Sequence, residues 1–117
     1  MKILRVDSYV YFDDIYESDF DTKIIDVDTN DYNKIIDIIK QDINDYKNEE
    51  VVNCFDDDYI NEYNNTVECF NDSFDVYEDT VLTEQDFKSC KNNHEQIMYL
   101  NFENDCRFTQ VRYFVIF

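Results

Sequence analysis

The side chains with chemistry to offer in this chain are carboxylates, and they are crowded together. Between Asp13 and Asp86 stand 24 Asp and Glu against four lysines, so these 74 residues carry a charge of −20 while the rest of the chain sums to +2. Carboxylates in such number suit three kinds of work. Paired, they act as general acid and base; clustered, they hold a hard cation; set in outward rows, they dock on a cationic surface.

The first two uses find little support in the spacing. His94 is the only histidine and sits beside Asn92-Asn93, with no Ser or Cys arrangement next to it that marks a nucleophile and its base. The chain contains no glycine, and the loops that cradle phosphates need glycine where backbone closes on ligand. No catalytic residue and no cofactor are assigned, and a non-enzymatic protein is expected. Asp26, Asp28, Asn30 and Asp37 fall at the spacing of an EF-hand loop, but its sixth position, where a sharp turn wants Gly, is Asp31, its eighth is Asn33 and its twelfth is Asp where Glu is usual. Capping of a following helix accounts for these residues, as a helix start accounts for Asp56-Asp57-Asp58. No metal site is assigned; a divalent-ion module stands as the third reading.

The surroundings must be able to fold. A net charge of −18 and a mean hydropathy of −0.62 lean toward disorder, yet 44% hydrophobic and 17% aromatic residues supply the area for a core. The 117 residues suit one domain. Gly, Pro, Ala and Trp are absent while Asn, Ile, Asp, Tyr and Phe abound, the bias of an AT-rich genome. Turns that need a left-handed backbone then fall to Asn and Asp. Cys54, Cys69, Cys90 and Cys106 form no CxxC pair, and the opening MKILRVDSYV has no apolar signal segment, which predicts buried free thiols in the cytoplasm of a bacterial host. No apolar run approaches the ~20 residues that cross a bilayer, so no membrane partner is expected.

Periodicity places the elements. Leu4, Val6, Val10 and Phe12 alternate with Arg5, Asp7, Tyr9 and Tyr11, which predicts a half-buried strand over 2–12. After an acidic loop over 13–19, the β-branched segment 20–27 reads as its antiparallel partner. Tyr32, Ile35, Ile36, Ile39, Ile43 and Tyr46 recur at three and four residues, predicting a long amphipathic helix over about 30–47 capped by Asp28 or Thr29. Residues 51–70 read as strand, short helix, strand, with Asn64-Asn65 as an interruption. Asn71-Asp72-Ser73 then turns into a strand over 74–82, Thr83-Glu84-Gln85-Asp86 opens a short helix to about 91, and Asn104-Asp105 joins a final hairpin of 95–103 and 107–117. Arg107 and Arg112 are expected to pair with carboxylates across that hairpin. The architecture expected is α+β, one antiparallel sheet with one long helix packed on it.

On these elements the carboxylates fall in rows. Strand residues two apart lie roughly 6.6 Å apart on one side, which lines up Asp19 with Asp21 and sets Asp75 and Asp79 on either side of Tyr77. On the helix, Asp31, Asp42 and Asp45 share one margin of the apolar stripe. With Asp56, Asp57, Asp58 and Asp72 these form the candidate partner-binding surface, an anionic stand-in for the phosphates of DNA, which present one charge per ~1.7 Å of duplex axis. Asp outnumbers Glu by 19 to 9, and the shorter side chain loses less entropy when docked. Tyr9, Tyr11, Tyr59, Tyr63 and Tyr77 are possible contact aromatics, although most rings must fill the core.

In size, charge and this acidic tract the chain resembles the small DNA-mimic inhibitors of phages and other mobile elements, of the anti-CRISPR and anti-restriction type. That resemblance implies a protein that binds no nucleic acid itself and occupies the basic nucleic-acid cleft of a CRISPR or restriction nuclease. An immunity protein or antitoxin directed at a basic toxin nuclease is the alternative reading of the same electrostatics.

Overall fold

A computed structural model describes residues 1–12, 18–89 and 95–116. The chain runs β1 (Lys2–Tyr11), β2 (Ser18–Asp26), α1 (Tyr32–Cys54), α2 (Asp57–Ile60), α3 (Thr66–Ser73), β3 (Asp75–Thr80), α4 (Glu84–Ser89), β4 (Glu95–Glu103) and β5 (Arg107–Ile116). The strands form one antiparallel sheet in the order β2-β1-β5-β4-β3, so the α+β expectation holds. Most of the acidic loop expected over 13–19, together with Cys90, Asn92-Asn93 and His94, lies outside the described residues.

Strand parity decides where the core sits. In β5, Thr109, Val111, Tyr113 and Val115 are buried and alternate with partly exposed residues, and β4 contributes Ile97, Met98, Leu100 and Phe102 to the same side. The register places Ile3 and Asp7 of β1 opposite Val115 and Val111, so the helices lie over the odd-numbered face of β1. The face carrying Leu4, Val6 and Val10, which sequence alternation offers as the apolar side of that strand, is the one no described helix covers. The buried cluster on the covered side joins Ile35, Ile39, Ile43 and Val51 of α1 to Phe70 of α3 and to the sheet. Phe70, Phe74 and Phe102 meet with ring centroids 4.8–5.0 Å apart, a geometry in which aromatic pairs add about 0.5–1.5 kcal/mol each beyond area burial.

Two element assignments are corrected. The long helix starts at Asp31, whose carboxylate accepts from Lys34 N, and runs on to Cys54, so Val51 and its neighbours are its last turn and not a strand. Thr66 to Phe70 is also helical: Asn65 caps α3 by accepting from Glu68 N at 2.8 Å, which frees Phe70 to point into the core. The β-branched and aromatic residues there favour a strand only in isolation; burial of Phe70 and the cap overrule that preference. Asp56 through Asp58 do open a helix, Thr83 Oγ1 accepts from Asp86 N at the start of α4, and Asn104 Oδ1 accepts from the amides of Cys106 and Arg107 in the last hairpin.

Candidate functional site

Where β1 passes under α1, a polar cluster is embedded in an otherwise apolar interface. Asp42 is only 7% exposed. Its carboxylate accepts from Arg5 Nη1 at 2.9 Å, Lys23 Nζ at 2.7 Å and Tyr113 Oη at 2.7 Å. Burial works to raise the Asp42 pKa, but the bonds from Lys23, Tyr113 and Arg5 outweigh it and hold this carboxyl below its ordinary value. Asp42 is therefore the anchor of a buried ion-pair network and not part of a partner-facing row, as its place on the helix margin suggests. Asp7, 2% exposed, stands on the other side of the same guanidinium. Burial raises its pKa, with Arg5 opposing. Arg5 Nε lies 3.0 Å from Asp7 Oδ1, at an angle that leaves both atoms without a directed hydrogen bond.

Beside this network a polar cavity of about 140 Å³ is lined by Arg5, Asp7, Tyr9, Asp21, Tyr46, Glu49, Glu50 and Asn53. Of its four carboxylates Asp7 pairs with Arg5 and Glu50 with Arg107, which leaves Asp21 and Glu49 to face a further cation. Toward the opposite edge of the sheet, Asp72, Asp75, Glu103 and Asp105 gather around a second concavity at the joint of α3, β3 and the last hairpin.

Apart from Asp42, the carboxylates named for the partner-binding surface are exposed, but they are divided among separate parts of the fold. Asp19 and Asp21 lie on β2, one edge of the sheet; Asp75 and Asp79 lie on β3, the other edge, and four strand spacings of ~4.8 Å put these edges about 19 Å apart. Asp31 and Asp45 are exposed on α1, Asp56, Asp57 and Asp58 on α2, and Asp72 on α3. Asp7, Glu49, Glu50, Glu103 and Asp105 join these groups although sequence reasoning passes over them. The signal for Glu49 and Glu50 is the true length of α1; for Asp7 it is the shared parity with Ile3.

Three of the strand aspartates do a structural job as well. Asp19 accepts from Phe20 N at 2.8 Å, Asp21 from Thr22 N at 2.9 Å and Asp79 from Thr80 N at 2.8 Å. All three lie on edge strands, whose unpaired amides invite another chain to extend the sheet. Each carboxylate takes up an amide that would otherwise be free to do so.

Three of the cations, Arg5, Lys47 and Arg107, point inward, while Lys2, Lys23, Lys34, Lys40 and Lys88 are exposed. Lys47, 4% exposed, is bonded to Glu78 and to Asn71; Arg107 pairs with Glu50 of α1, not with a carboxylate across the hairpin. Arg112 makes no ion pair among the described residues and lies over the ring of Phe114 at 5.7 Å. Of the three described cysteines only Cys69 is buried; Cys54 and Cys106 are exposed, against the expectation of buried thiols. Among the described residues no three His, Cys, Asp or Glu side chains are arranged to hold a metal ion, and no helix is long and apolar enough to cross a membrane. Thr29 Oγ1 accepts from Asp31 N and Asp31 caps α1, so the EF-hand-like spacing is spent on a helix start.

Comparison with protein-family models, with curated proteins and with solved structures gives no match.

Proposed function

We propose that this chain is a non-enzymatic inhibitor that takes the place of DNA in the basic nucleic-acid cleft of a host defence nuclease such as a CRISPR effector. One observation supports this most. Asp19, Asp21, Asp31, Asp45, Asp56, Asp57, Asp58, Asp72, Asp75 and Asp79 are all solvent-exposed on regular elements or their caps, while Arg5, Lys23, Lys47 and Arg107 form ion pairs between the helices and the sheet. A folded scaffold thus holds carboxylates at fixed positions with few cations between them, which is what a cleft built for phosphates is selected to grip. The cavity lined by Asp7, Asp21, Glu49 and Glu50 offers a Lys or Arg of that cleft a place to insert.

The experiment is a pull-down from host lysate at low salt with a salt step for elution, followed by competition between the chain and duplex DNA for the captured protein. Replacing Asp31, Asp45, Asp56, Asp57 and Asp58 together by Lys, all on the helices or their caps and off the sheet, should abolish binding, and wild-type affinity should fall steeply with ionic strength. Affinity indifferent to both changes would sink the proposal. So would a partner that is inhibited while still holding its duplex, the behaviour of an immunity protein.

A further inference from the structure

The sheet has a second face, and no described residue covers it. Its rows follow from the register: Ile24, Leu4, Phe114 and Gln96; then Thr22, Val6, Arg112, Tyr99 and Asp79; then Phe20, Ser8, Gln110, Asn101 and Tyr77; then Val10, Phe108, Glu103 and Asp75. Phe20 is 72% exposed and Ile24 56%. For a chain of net charge −18 this is an unusually apolar stretch of surface, and its carboxylates lie on β3 and at the end of β4. At its centre Arg112 has no ionic partner among the described residues, and its Nε is shielded from water without an acceptor among them.

We infer that this face is the contact between two copies of the chain, packed sheet on sheet with the helices outward. The area is adequate. Five strands of up to ten residues span roughly 24 Å by 30 Å, about 700 Å² per copy, close to the ~800 Å² per partner of a standard interface. The face also complements itself. A two-fold axis between the sheets, running across the strands midway between the Val6–Arg112–Tyr99 row and the Ser8–Gln110–Asn101 row, lays each row on the other's counterpart. Phe114 then meets Phe108 of the second copy, Leu4 meets Val10, Arg112 meets the Gln110 side-chain oxygen, Asp79 meets Tyr77 and Glu103 meets Gln96. No two carboxylates of these rows oppose one another. Sheets packed in this way lie about 10 Å apart with strands nearly aligned.

This contact differs in sign from docking on a basic cleft. Two chains of charge −18 repel, so pairing through the apolar face tightens as salt screens them, whereas binding to a cationic partner weakens. Sedimentation equilibrium of the full chain across a salt series should give twice 14.3 kDa, with a dissociation constant that falls as salt rises. Gln110→Arg, at a position half-buried in the monomer, sets two guanidinium groups against each other and should weaken pairing about tenfold or more; adding Arg112→Glu should restore it. Phe20→Lys with Ile24→Lys, at positions that carry no core contact, should also give monomer with an unchanged melting transition. A monomer at every salt and protein concentration would overturn the inference, as would a dimer indifferent to Gln110→Arg and to the paired lysines.

Discussion

Replacing Asp42 by Asn removes one charge from the interior and leaves two cations facing it. The wild-type carboxylate accepts three hydrogen bonds, two of them from Arg5 and Lys23, and a hydrogen bond to a charged group contributes about 1.5–3 kcal/mol. Removing one partner of a buried pair costs about 3–5 kcal/mol, because the other charge stays behind. Lys23 is half exposed and water screens its share, so the expected loss is at the lower end, about 3 kcal/mol. For a domain of this size that is a fall of roughly 12 °C in melting temperature, at about 4 °C per kcal/mol. Urea unfolding at low salt is the assay, since guanidinium salt would mask the charge. Asp7→Asn is the control: burial already disfavours the charged form of Asp7, so this variant should lose about 1 kcal/mol or less. The pH profile adds a second readout. Because the native pKa of Asp42 is lowered, its contribution is complete above the unfolded value of ~3.9 and is lost as pH falls through the native one. The gap between wild type and Asp42→Asn should therefore shrink on the acid side of about pH 4. A loss below about 1 kcal/mol, or a gap that widens with acid, would refute the ion-pair account.

Two further outcomes test the fold. Asn65→Ala should cost about 1 kcal/mol through loss of the α3 cap, measured by urea unfolding; no change would return residues 66–70 to the strand assignment. Replacing Asp19 and Asp21 by Glu keeps the charge but moves each carboxylate away from the neighbouring amide, and should hasten aggregation below the melting temperature by light scattering, with little change in that temperature. Scattering equal to wild type would show that charge alone guards the edge.

What the sequence discloses depends on whether a residue's role is local. Asn104, Thr83 and the Ile35–Tyr46 stripe act within a turn or a helix, and the hairpin, the α4 start and the long helix are legible from them. Thr66–Phe70 carries a strand-like composition whose helical state rests on Phe70 meeting Phe102 across the fold, a contact no local window contains. The same holds for the candidate surface. Exposure of Asp45 or Asp56 follows from helix geometry, but Asp42 sits on the same margin and is drawn inward by Arg5, Lys23 and Tyr113, which lie 37, 19 and 71 residues away. In β1, the apolar pattern of Leu4, Val6 and Val10 points to the uncovered face, because the helix layer meets the side that carries Ile3 and the inward-facing Arg5–Asp7 pair, whose partner Asp42 lies far along the chain.

The inward placement of Arg5, Lys47 and Arg107 reaches beyond stability. Lysines and arginines spent inside do not dilute the outer skin of carboxylates, so in solution that skin must gather a cloud of sodium or potassium. A polycationic surface settling on it would displace that cloud as well as its own bound anions. The entropy of both released ion populations would then drive contact, and dissociation would follow the logarithm of salt concentration much as it does for nucleic acid itself.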